Sequence, residues 1–168
     1  MANEAERNLA AAMMANSYTR AVLIHGAGNR TIWGLKGVKA CVWGARTIMN
    51  VKIHKEAKNK GDMIAIWASV SKRFGCGNCA EHAAIAFIYL RDAQIRPLDF
   101  MAYMKAWTDH AFVVLGREES SDLGDPGTWG KSAVVCDPYY DVAYSAFLLP
   151  VLMRSKGAEA PEVIWRVS

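Results

Sequence analysis

Residues 75–93 read GCGNCAEHAAIAFIYLRDA, and this stretch decides the fold. Gly75 and Gly77 let the chain turn tightly around Cys76. From Cys79 to Ala93 the residues are apolar nearly all round, with no glycine or proline, which predicts a helix buried in a core rather than laid on a surface. Cys79 then stands at the N-terminus of that helix. A thiol there feels the positive end of the helix dipole, which favours the thiolate. The unpaired N–H groups of the first turn can hold a developing oxyanion.

Working outward from this helix, Phe112–Leu115 and Ala133–Cys136 are short β-branched or apolar runs and predict strands. The polar segment 117–130, REESSDLGDPGTWG, joins them as the long loop of an antiparallel hairpin. After Asp137-Pro138, the run DVAYSAFLLPVLMRS (141–155) predicts a helix, and EVIWRV (162–167) a last strand. Upstream, 3–24 is rich in alanine and methionine and predicts a helix broken by HGAGN at 25–29. Residues 31–50, 51–58 and 62–73 predict further helices, ended by Gly75 and Gly77. Helices, then a central buried helix, then strands make an α+β domain. The reading is of one domain over 1–168: a helical N-terminal part (1–74), a catalytic core (75–144) and a C-terminal helix and strand (145–168).

Three passages carry chemistry: GCGNCAEHA at 75–83, WTDHAFVVLGR at 107–117 and AVVCDPYYDVAY at 133–144. His110 begins one predicted strand and Asp137 follows the end of the next. Pairing of those strands would bring the two side chains together opposite the helix N-terminus. That is the logic of a nucleophile (Cys79), a base (His110) and an orienting carboxylate (Asp137). Asp109 and Asp141 are substitutes for the third role. His82, three residues beyond Cys79 on the same helix, is a rival base whose ring would tend to lie alongside the thiol. Trp107 and Trp129 are assigned to the cleft lining, while Tyr139 and Tyr140 are read as packing residues.

The order Cys, His, Asp resembles the papain-like and transglutaminase-like superfamily, best in its bacterial toxin and effector branches. The resemblance rests on GNCAEHA at 77–83, LR at 90–91 with IRP at 95–97, DHAFVV at 109–114, and a tryptophan followed by VVCDP at 134–138. It covers about residues 75–144. It implies a papain-like core with a Cys-bearing helix packed on a small antiparallel sheet that carries His and Asp, and it assigns triad roles to Cys79, His110 and Asp137. Papain proper has Asn as third member and an upstream Gln for the oxyanion hole. Here the third member is Asp and the single Gln is Gln94, which shifts the oxyanion role to backbone N–H groups or to Asn78. The implied chemistry is attack on an amide, with no cofactor and no metal. A protease-type toxin or effector acting on a protein in a target cell is the leading reading. Glutamine deamidase and transglutaminase follow as alternatives with the same triad, and a cognate immunity or inhibitor protein would accompany a toxin.

Other classes compete. CGNC at 76–79 fits a thiol-disulfide oxidoreductase of C-x-x-C type, although no strand precedes it as a thioredoxin-like unit requires. Cys76, Cys79 and His82, with Cys41 or Cys136, have zinc-ligand spacing but lack a second knuckle. A non-catalytic interaction domain is the third rival.

The bulk properties are those of a folded protein: 168 residues, 52% hydrophobic, 21% charged and net charge +4. No apolar run is long enough to span a membrane. Glu4 and Glu6 and the short apolar stretches at the start argue against a secretory signal peptide. Four cysteines are too few for a disulfide scaffold, so free thiols in a reducing cytoplasm are expected, in a target cell if a dedicated secretion machine delivers the protein. Seven Lys/Arg between Arg46 and Arg73 face only Glu56 and Asp62. They read as a solvated helical face, with a docking surface for an acidic partner as the sharper reading and nucleic acid disfavoured.

Overall fold

The computed structural model describes residues 2–28, 36–104, 109–153 and 160–168. Among them α1 (Glu4–Val22), α2 (Lys36–Glu56), α3 (Lys60–Phe74) and α4 (Cys79–Asp92) precede β1 (Leu98–Tyr103), β2 (His110–Leu115), β3 (Val134–Asp137) and β4 (Val142–Ser145). A short α5 (Leu149–Met153) and β5 (Glu162–Val167) complete the order. The strands form one antiparallel sheet in the order β4-β3-β2-β1-β5. The class is α+β, as the sequence predicts.

Strand periodicity places the core. Phe100, Ala102, Ala111, Val113, Leu115, Val134 and Cys136 point to one face, where they meet Ala12 and Ala15 of α1, Ile64 and Ala68 of α3, and the alanines, Phe87 and Leu90 of α4. The alternate residues Met101, Phe112, Val114 and Val135 point to the other face and pack with Trp129, Ala146 and Leu149. Burying Phe87 and Phe100, in edge contact at 5.9 Å, contributes about 1.5–3 kcal/mol each. The α4 sequence suits this central place: small alanines let α1, α3 and the sheet approach it closely, so it is buried along nearly its whole length.

α1 is held differently. Its buried face is small and polar: Asn8, Ala12, Ala15, Asn16 and Thr19. Asn8 Nδ2 donates to the Ser132 carbonyl and Asn16 Nδ2 to the Val142 carbonyl, both at 2.9 Å, so the helix reaches the sheet through hydrogen bonds that satisfy strand and loop carbonyls. At its start the Asn3 side chain accepts from the Glu6 N–H and the Glu6 carboxylate accepts from the Asn3 N–H, forming a capping box.

Several expectations are corrected. The helices read at 31–50 and 51–58 are one continuous α2 over its described span, because Lys36–Glu56 contains no proline and nothing at the 50/51 junction ends a helix. The predicted helix at 141–155 is instead β4, a 3₁₀ turn at Ala146–Leu148 and the five-residue α5. Pairing with β3, with Val135 opposite Tyr144, overrides the local preference of VAYS. β1 has no counterpart in the sequence reading, yet it is a central strand paired with β2 and β5. Its Asp99 is fully buried and bound by Arg117 and Arg166, a pairing between distant residues that the local sequence pattern does not show.

The cysteines are also corrected. Cys41 and Cys76 form a disulfide linking α2 to the turn before α4, while Cys79 and Cys136 are free. Thirty-five residues separate the paired cysteines, so no local spacing signals the bond, and the expectation of reduced thiols throughout does not hold for this pair.

Candidate active site

The turn before α4 is clamped from both sides. The C-cap Gly75 adopts a left-handed φ of 70° and ends α3. The His25 N–H donates to the Gly75 carbonyl, and the Gly77 N–H to the Gly26 carbonyl. Gly77 is required by close approach: a Cβ there would lie 2.5 Å from Glu81 Cβ. Asn78 takes the N-cap position, and Cys79 is the first helical residue and half-buried. Asn78 Oδ1 is directed at the Glu81 N–H without closing a hydrogen bond of ordinary geometry.

β2 and β3 bring the other two residues together. Their register sets Val114 opposite Val135. His110, four residues before Val114, and Asp137, two beyond Val135, therefore fall on the same face at one end of the sheet. His110 Nε2 and Asp137 Oδ2 are 2.6 Å apart, with both residues almost wholly buried. The second carboxylate oxygen accepts from the Tyr140 N–H at 3.3 Å. The His110 side chain also hydrogen-bonds Cys79. With Nε2 taken by Asp137, Nδ1 is the ring atom left for the thiol.

This setting raises the imidazole from its ordinary value of 6.5 to about 9. Burial opposes the charged form, but hydrogen bonds to Asp137 and Cys79, reinforced by their charges, outweigh it. An imidazolium beside the thiol at neutral pH is the counter-ion a thiolate needs. Tyr139 and Tyr140 pack around the ring with centroids 5.8 and 5.2 Å away, and Phe112 stacks on it at 6.2 Å. The two tyrosines read as packing residues thus enclose the proposed base.

Glu81 and Arg46 form part of the site that the sequence reading did not assign. Glu81 lies two residues after Cys79 on α4 and is 3% exposed. Its carboxylate accepts from the Asn78 N–H at 2.8 Å and from Arg46 Nε and Nη2 at 2.6 and 3.0 Å. Burial alone would push the Glu81 carboxyl up, but Arg46 and the backbone N–H groups hold it below its usual range. The N-x-x-E spacing of a capping box was visible from Asn78 to Glu81. Arg46, thirty-five residues away, carried no such local signal.

The remaining assigned residues are elsewhere. Trp129 does not line a cleft: it is fully buried, packs behind the sheet, and its indole N–H donates to the Asp122 carbonyl at 2.8 Å. A ring of that size gains more from burial with a satisfied N–H than from exposure. Trp107 lies outside the described residues. Asp141 pairs with Arg20 and leaves the imidazole to Asp137. Asp109 is exposed beside His110. His82 Nδ1 is 2.8 Å from the Asn78 carbonyl and its ring meets Tyr139 edge-on, a structural rather than a base-like setting. The Cys76 sulfur is bonded to Cys41, which withdraws it from a Cys76–Cys79 dithiol pair and from a zinc set. Among the described residues no cluster of three or more His, Cys, Asp or Glu is arranged to hold a metal, and no helix is long and apolar enough to cross a membrane. Comparison with protein-family models and with curated proteins gives no match to the chain.

Proposed function

We propose that the protein is a cysteine-dependent amide hydrolase with a papain-like or transglutaminase-like core, of protease type, that serves as a bacterial toxin or effector domain. One observation carries the reading: an unbroken contact from a half-buried thiol at a helix N-terminus, through a buried imidazole, to a buried carboxylate. The Cys79 thiolate attacks the amide carbonyl, and the carbonyl electrons move onto oxygen. Backbone N–H groups of the first turn of α4, or the Asn78 side chain, would stabilise that oxyanion. Collapse of the adduct breaks the C–N bond, and the imidazolium of His110 gives its proton to the departing amine. Water then attacks the thioester, His110 takes its proton, and the acid leaves with Cys79 restored as thiolate.

The sequence resemblance at 75–144 supports a core of this kind, and the effector role follows from that resemblance. The Cys41–Cys76 disulfide suits a chain that passes through an oxidising space before it acts in a reducing one. A cognate immunity protein would then protect the producing cell.

Mass spectrometry of a target-cell lysate treated with wild type or Cys79→Ala tests the reading. Defined cleavage products present only with wild type are expected. A gain of about 1 Da on glutamine, or new cross-links, moves the same triad to deamidase or transglutaminase chemistry. Identical lysates with the two proteins remove Cys79 as nucleophile.

A further inference from the structure

Beside the nucleophile lies a groove of about 460 Å³, lined by Gly28, Lys39, Val42, Trp43, Arg46 and Asn78. Four of these residues, at 39, 42, 43 and 46, share one face of α2 by the i, i+3, i+4, i+7 rule. Asn78, which lines the groove together with Gly28, is the residue before Cys79, so the groove borders the site. Its chemistry is uneven. Trp43 is 76% exposed, an indole left in solvent. Lys39 is exposed and Arg46 is half-exposed. α2 carries no carboxylate before Glu56; the Arg46 guanidinium is paired through two nitrogens with the buried Glu81 and also feels Asp109, which leaves Lys39 as the exposed lysine of the groove lining. A cleft whose charged lining residues are cationic, beside an apolar wall, favours a ligand of the opposite sign with apolar surface.

We propose that this face of α2 is the subsite that selects the substrate, taking an acidic stretch of polypeptide on either side of the attacked amide, with Lys39 and Arg46 facing its carboxylates and Trp43 packing on its side chains. The inference rests on Cys79 as nucleophile and assigns to α2 a recognition role outside the segment that resembles the hydrolase core. Arg46 then has two tasks: two of its nitrogens hold Glu81, two residues after the nucleophile, and its exposed side faces the groove.

Seven-residue peptides with a central dehydroalanine, flanked on both sides by Glu, by Ala or by Lys, test it, because a thiolate adds to dehydroalanine without needing a turnover step. Iodoacetamide measured alongside reports whether Cys79 is reactive at all. The Glu peptide is expected to label wild-type Cys79 about tenfold faster than the Lys peptide at low salt, with the ratio shrinking at high salt. Lys39→Glu should bring the ratio near one or invert it. Lys55→Glu, the same charge change at an exposed position of α2 away from the groove, should keep the wild-type ratio. Equal rates for the three peptides while iodoacetamide alkylates Cys79 overturn the subsite and leave the nucleophile standing. So does an equal loss of selectivity in the two lysine variants. Failure of iodoacetamide to alkylate Cys79 overturns the nucleophile and the subsite with it.

Discussion

His110 Nε2 lies 2.6 Å from Asp137 Oδ2, with both groups buried and both other edges occupied: the imidazole meets Cys79, and the carboxylate takes the Tyr140 N–H. The pair fixes which ring nitrogen faces the thiol, so Asp137 sets the tautomer and the ring orientation together.

Because folding raises His110 from 6.5 to about 9, the protonated ring contributes to stability fully below pH 6.5, and this contribution is lost as pH rises through about 9. Urea unfolding followed from pH 6 to 10 should show a falling midpoint in wild type. The fall should be smaller in Asp137→Asn, which removes the charge that holds the proton. Amide turnover should decline above about pH 9 as well, since the leaving amine needs that proton. Asp137→Ala should lower turnover by about 10²–10⁴-fold, and Asp137→Asn, which can still orient the ring, by less.

The Arg46–Glu81 pair predicts an asymmetry. Arg46→Ala strands a carboxylate that is 3% exposed and should cost about 1–3 kcal/mol in chemical denaturation. Glu81→Gln keeps the Asn78 N–H acceptor and should cost less. In a double-mutant cycle the two losses should not add, because Glu81 is a shared partner. Additive losses would mean that the bond across α2 and α4 is not a coupled contact.

The thiols should answer to reagents in three steps. Native protein should take one carbamidomethyl group, on Cys79. The Cys136 thiol is fully buried, contacts Asn16 Oδ1 at 3.1 Å and is pushed up by burial and by Asp137, so it stays silent. Unfolding without reductant should expose a second site, and unfolding with reductant all four cysteines. Cys41→Ser, which opens the loop closed by the disulfide, should lower stability by about 2–4 kcal/mol. Two labels on the native protein would place Cys136 in reach of solvent and contradict its burial.

The local part of the site was legible because local rules govern it. GCGNCAEHA carries its own turn, N-cap and helix start, so the position of Cys79 at a helix N-terminus followed from adjacent residues. The β-branched runs ending in Asp137 and following His110 placed both at strand ends. Trp129 was misread because composition says nothing about which side of a sheet a ring faces, and its neighbours Met101 and Val114 lie far away in sequence. VAYS at 142–145 was read as helix because its strand state depends on a partner, β3, that a local pattern does not reveal.

By itself, then, the sequence determined what is short-ranged: the buried helix, the cysteine at its start, and an α+β order with His and Asp on successive strands. Tertiary structure decided what depends on distant residues meeting. It placed LDFMAY inside the sheet between β2 and β5, joined Cys41 to Cys76, set Arg46 on Glu81, and laid α2 beside Asn78 as one wall of a groove. The physical reason is that periodicity and capping act within a turn or two of the chain. Buried charge pairs, disulfides and strand pairing gain their energy only once the fold has brought remote residues together, and no local pattern records them beforehand.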